Sequence, residues 1–164
     1  MGICTRELER WVIRPTLQRL QVDNPAAVKL LLGTAAQESA MGSHLKTQGQ
    51  KGSGIYRIQS LTHRHIWDDY LATQPELASL IRGLASQRDF LEQPHAELTT
   101  NLSYATAIAW MSYARHPDFN LPRDADQKLL ARLWKRFYHP RKGASCEHFI
   151  NNYQLLVEGV NRVA

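Results

Sequence analysis

Glu38 stands four residues ahead of Gly42, where a segment begins that holds four of the chain's nine glycines, Gly42, Gly49, Gly52 and Gly54. Such a loop can bring its backbone close to a ligand. Ser43, Thr47, Gln48, Gln50, Ser53 and Gln59 add hydroxyl and amide groups, which suit a polar, uncharged ligand such as a sugar. Leu31, Thr34, Ala35 and Glu38 follow offsets of three, four and seven, so on a helix the carboxyl shares a face with apolar and small residues. Partial burial and the negative end of a helix dipole both disfavour the ionised carboxylate. A carboxyl group that keeps its proton near neutral pH is what general-acid catalysis requires. The plain alternative is a solvated last-turn residue in a helix that ends at glycine.

Cap and turn residues give the elements that must position Glu38. Asn24 followed by Pro25 is a strong helix start: Asn accepts from free amides of the first turn, and Pro sits where its missing donor costs nothing. The helical pattern runs from Ala26 to Ala40, and Gly42 is expected to close it. An earlier helix begins near Thr5 and meets Pro15, which should break or restart it. Later helices are expected near Thr62, Pro75, His95, Asp124 and Ser145, with a long one through Tyr104 to Arg115 that Pro117 stops. Leu129, Leu130, Leu133, Trp134 and Phe137 mark one apolar face. Only Ile55 to Gln59 could form a short strand. The fold class read from this pattern is mostly α, a single domain over residues 1–164 with a small β element.

The composition fits that reading. At 164 residues, 43% hydrophobic and 21% charged, the chain is an ordinary globular length and mixture. Cys4 and Cys146 form neither a disulfide framework nor a spaced ligand set, so both are read as reduced thiols. No apolar run approaches a membrane span, and Met1 to Trp11 shows no secretory signal. The formal charge of +5 is concentrated: residues 123–142 carry seven Lys and Arg against two Asp. A patch of that kind raises the local concentration of anionic partners.

Gly33-Thr34-Ala35-Ala36-Gln37-Glu38-Ser39, followed by Gly54-Ile55-Tyr56-Arg57-Ile58-Gln59, resembles the lysozyme-like lytic transglycosylases, in which a helix ends in Glu-Ser and a loop of the form Gly-Leu-Met-Gln-Ile follows. Thr62-His63, Ile66-Trp67, Tyr70-Leu71, Tyr113-Ala114-Arg115, Leu121-Pro122 and Trp134-Lys135 through Gly143 are similar to bacteriophage virion proteins with a transglycosylase-like domain, in order over residues 30–150. The resemblance implies a lysozyme-like fold that cleaves peptidoglycan glycan strands without cofactor or metal, borne by a phage particle beside other virion proteins. It puts Glu38 at the catalytic position and Ser39, Gln48, Gly54, Ile55, Tyr56, Arg57 and Gln59 at the substrate. Arg57 departs from the family's Gln, losing an amide acceptor that Gln59 or Gln48 would have to supply.

Most glycosidases use two carboxyl groups, yet residues 40–66 contain no Asp or Glu. The absence favours a one-acid scheme in which the substrate's own acetamido or hydroxyl group completes the displacement. Two other readings stay open. One is an architectural virion or tail component that keeps the fold with reduced or no activity. The other is a basic nucleic-acid-binding module around Trp134-Lys135-Arg136-Phe137-Tyr138, disfavoured because core packing explains its aromatics more simply. His44, His63 and His65 have no metal-site spacing and are read as core or solvated histidines.

Overall fold

The computed structural model describes residues 1–46, 49, 51–140 and 143–159. The fold is mostly α, and two helices form its centre. Leu102–Ala114 is apolar all round, with Tyr104 through Tyr113 buried, as expected of a helix covered on every side. Pro25–Ser39 packs against it and against Cys146–Tyr153. At Gly33 a Cβ would lie 2.5 Å from the Phe149 ring, so the missing side chain sets how closely these helices approach.

The caps act much as the sequence suggests. Asn24 Oδ1 accepts from the Ala26 amide at 2.9 Å, while its Nδ2 donates to the Leu121 carbonyl, tying the helix start to the loop that precedes Gln127–Leu133. Ser145 caps the Cys146–Tyr153 helix. Asp126, rather than Asp124, caps Gln127–Leu133, and helix begins at Ser60 rather than Thr62. Around His95 there is a 3₁₀ turn, Pro94–Ala96, then Glu97–Thr100, before Asn101 caps Leu102–Ala114. Pro15 does not break the first helix. The chain widens into a π turn, Glu9–Ile13, and resumes as Arg14–Arg19 with the proline in its first turn, where a missing N–H is tolerated.

Two expectations around the loop are corrected. Ile55 to Gln59 is not a strand: an antiparallel bridge, Ser53 to Ile58, closes a tight turn, and it is what there is of the small β element among the described residues. Gly42 does not close the Glu38 helix either. Ala40 turns left-handed at φ 49°, followed by Met41 at 59° and Gly42 at 81°. One tertiary and one local bond hold this strained run: Ile3 N–H donates to the Met41 carbonyl, and Met41 N–H closes the helix end onto that of Ala35.

Candidate active site

Glu38 lies in the last turn of Pro25–Ser39 with its side chain 9% exposed. Oε1 accepts from the Trp134 indole N–H at 2.9 Å, and His139 Nδ1 stands 3.5 Å from the same oxygen. Oε2 has no hydrogen-bond partner among the described residues. The carboxyl group borders a cavity of about 230 Å³. Arg57, Ile58 and Gln59 wall one side, with Lys51 and Thr62 beside them; Arg115 and His116 come from the end of the Leu102–Ala114 helix, and residues 136–140 complete it.

A local irregularity brings Trp134 and His139 together. The helix from Gln127 widens into a π turn over Trp134–Tyr138, and His139 N–H donates to the Trp134 carbonyl five residues back. In α geometry neighbours on one face lie three or four apart; here residues five apart stack, with ring centroids 5.3 Å apart. Both therefore reach Glu38 Oε1. Wide turns of this sort recur at functional sites.

Behind the cavity stands a wall of buried phenols. Thr34 Oγ1 donates to the Leu30 carbonyl, so it accepts from Tyr113 at 2.7 Å. Tyr138 stacks on Tyr113 at 5.0 Å and donates to the Tyr56 carbonyl at 2.5 Å. Tyr56 in turn donates to Thr106 at 2.9 Å, since Thr106 gives its own proton to Leu102. Burial raises Tyr113 and Tyr138 well above the usual phenol range, and the nearby Glu38 charge adds to the rise. All stay neutral. Arg115 and His116 are pushed down by burial, and His116 further by the Arg115 charge, so His116 is a neutral ring at the cavity edge.

The residues expected at the substrate divide into three groups. Arg57 and Gln59 line the cavity with Glu38. Ser39, Gly54, Ile55 and Tyr56 are buried beneath it and shape the loop. Ser39 Oγ donates to the Ile55 carbonyl at 2.6 Å and accepts from the Gly42 amide at 2.8 Å, joining the end of the Pro25–Ser39 helix to the Gly54 turn. Gly54 has φ 79°, and a Cβ there would fall 1.7 Å from the Leu98 carbonyl oxygen. Ile55 is fully buried. Arg57 also has positive φ, at 48°, and donates to the His44 carbonyl at 3.3 Å. Gln48 lies outside the described residues, as do Thr47, Gln50, Arg141 and Lys142.

Comparison with protein-family models, curated proteins and solved structures finds no match to this chain. The residues themselves therefore carry the reading of the site. Lys51, Arg115, His116, Trp134, Arg136 and His139 complete it, and sequence reasoning did not place them there. Trp134 enters the sequence analysis in an apolar stripe, in the resemblance and in the nucleic-acid reading, never beside Glu38; it is 1% exposed, with Phe137 at 8%. Those rings are closed to stacking on bases. Of the carboxylates outside the loop, Asp68, Asp69, Asp89, Glu92 and Glu97 do not line the cavity. His63 joins His95 and Tyr104 instead of a ligand set.

Proposed function

We propose that the protein is a peptidoglycan lytic transglycosylase with Glu38 as its one general acid and base, carried by a phage particle to the host wall. The observation that carries this reading is a carboxyl group, nine-tenths buried at a helix end, with one oxygen fixed by Trp134 and the other unbonded beside a cavity whose described lining has no second acid. Glu38 Oε2 delivers its proton to the bridging glycosidic oxygen as the bond from that oxygen to the sugar's anomeric carbon breaks. A hydroxyl of the same sugar forms the new bond to that carbon and returns its proton to the Glu38 carboxylate. No water is consumed, and the product ends in an anhydro ring. Substrate participation is a recognised exception to the two-carboxylate rule. Trp134 holds the carboxylate in place and stabilises its charge between the two proton transfers. Among the described residues no helix is long and apolar enough to cross a membrane.

The test is digestion of purified sacculi followed by mass analysis. Anhydro-ended fragments from the wild type, and none from Glu38→Gln, support the reading. Hydrolysed ends overturn the transglycosylase step. One observation favours a second reading: Oε1 is already engaged by Trp134, as it would be in a purely architectural contact. If wild type and variant both leave sacculi intact while the protein is a stoichiometric particle component, the architectural role stands.

A further inference from the structure

The cavity beside Glu38 is more cationic than a neutral sugar requires. Lys51, Arg57, Arg115 and Arg136 border it against one carboxylate, Glu38. For Lys51, Arg115 and Arg136 the partners among the described residues leave much of that charge uncompensated. Arg136 reaches Asp118 at 3.6 Å, in a pair that is largely exposed and therefore weak. Lys51 is exposed and has no ion pair among the described residues. Arg115 is half-buried; it feels Asp69 at a distance, yet its Nε is buried with no hydrogen-bond partner among the described residues. A guanidinium stays charged when buried and presents a planar fork suited to an oxyanion. Unsatisfied polar groups in a native interior call for an explanation, and a ligand supplies one here.

Size narrows the occupant. At about 230 Å³ the space falls below the roughly 300–1,000 Å³ of pockets that enclose a whole drug-sized ligand. It takes part of a substrate, not a strand.

We infer that this cavity is an anion subsite, in which Arg115 and Lys51 bind a carboxylate borne by the glycan unit next to the bond that Glu38 cleaves. The assignment rests on the proposed glycan-cleaving function for the identity of the substrate, but the anion site itself can be tested without turnover. The carboxylate has two sources, the sugar's own acidic substituent or a peptide attached to it. An anion held by Arg115 and Lys51 would neutralise the guanidinium while the glycosidic oxygen meets Glu38.

The experiment measures equilibrium binding to the Glu38→Gln protein, which removes catalysis and one repelling charge. The probes are inorganic phosphate, intact glycan strands, strands stripped of peptide and neutral chito-oligosaccharides. Phosphate is expected to bind with competition against strands, and more tightly than to wild type. Intact strands should bind about 10-fold more tightly than neutral oligomers, the effect of one charge-assisted hydrogen bond. Arg115→Gln and Lys51→Gln, each added to that background, should erase the preference, bringing the affinity for intact strands down to that for the neutral oligomer. Because the sugar's acid is tied up as an amide while the peptide is attached, a preference lost on removing peptide assigns the carboxylate to the peptide, and one that appears or strengthens on removing it assigns the carboxylate to the sugar. Equal affinity for charged and neutral strands, or a preference that survives both substitutions, overturns the subsite. Because Lys51 is exposed, its variant remains informative if the Arg115 variant fails to fold. Loss of turnover in Glu38→Gln is a separate readout, so the two readings can fail independently.

Discussion

Glu38 and Glu97 are both acids held inside the protein, and their surroundings differ in kind. Glu97 is 1% exposed and both of its oxygens are engaged: Oε1 accepts from the Ser86 amide and hydroxyl, Oε2 from Asn101 Nδ2 at 2.8 Å. Asn101 at once caps the Leu102–Ala114 helix and donates to the Leu84 carbonyl. Glu97 is thus a clamp between segments, and its lone pairs are spent on fixed donors. Glu38 has a fixed donor on one oxygen and a cavity beside it. The lesson is that burial of an acid says little about its role; what counts is whether an oxygen is left for a visiting atom.

Exchanging each acid for its amide separates the two most directly. Glu38→Gln should lower the rate of sacculus digestion by roughly 10²–10⁴-fold, the usual contribution of general-acid catalysis, with a melting temperature close to wild type. A variant that keeps full activity would break the comparison. Gly54→Ala tests the support beneath Glu38: the clash with the Leu98 carbonyl and the positive φ should cost on the order of 3 kcal/mol in denaturant unfolding.

The side of the molecule near Glu97 offers a pH test of similar size. The Trp67 indole can only donate, so Tyr104 accepts from it, donates to His63 Nε2 at 2.6 Å, and leaves His63 Nδ1–H for His95 Nδ1 at 2.8 Å. Burial, and then the His95 charge, push His63 down to about 4 from 6.5. The unfolded chain therefore takes up this proton first as pH falls. Stability from neutral His63 is full above about 6.5 and is lost between about 6.5 and 4, on the order of 3 kcal/mol in all. A proton-shift titration of His63, set against unfolding at both ends of that window, checks the sign and size. Glu97→Gln should cost about 1–3 kcal/mol, because an amide nitrogen would face donors, and leave digestion unchanged. Tyr138→Phe should cost about 1 kcal/mol by leaving the Tyr56 carbonyl unpaired, with a small loss of activity.

The helical character, the Asn24 start and the placement of Glu38 beside a glycine-rich turn were legible because they follow from local rules: caps, proline position and helical periodicity. Gln59 follows from the polar character of the loop, whereas Arg57 comes to the substrate only through the family resemblance; both line the cavity. Gly54, Ile55 and Tyr56 were read as substrate contacts because sequence shows that a loop is special, but not which of its residues face inward. Lys51 and Arg115 carried no spacing signal, and Trp134 and His139 join Glu38 from about a hundred residues away. The left-handed Ala40 was hidden too, since an alanine in that conformation is held there by the bonds around it and not by its own preference.

The wide turn at Trp134–Tyr138 makes the site depend on a count of residues as much as on their types. Adding one residue inside that turn would keep tryptophan, histidine and glutamate in the chain, yet swing His139 about a hundred degrees around the axis, away from the Trp134 ring. Insertions, more than substitutions, are then the changes to which this corner of the protein is most vulnerable, and a relative could lose the chemistry by a single codon without losing any residue that touches it.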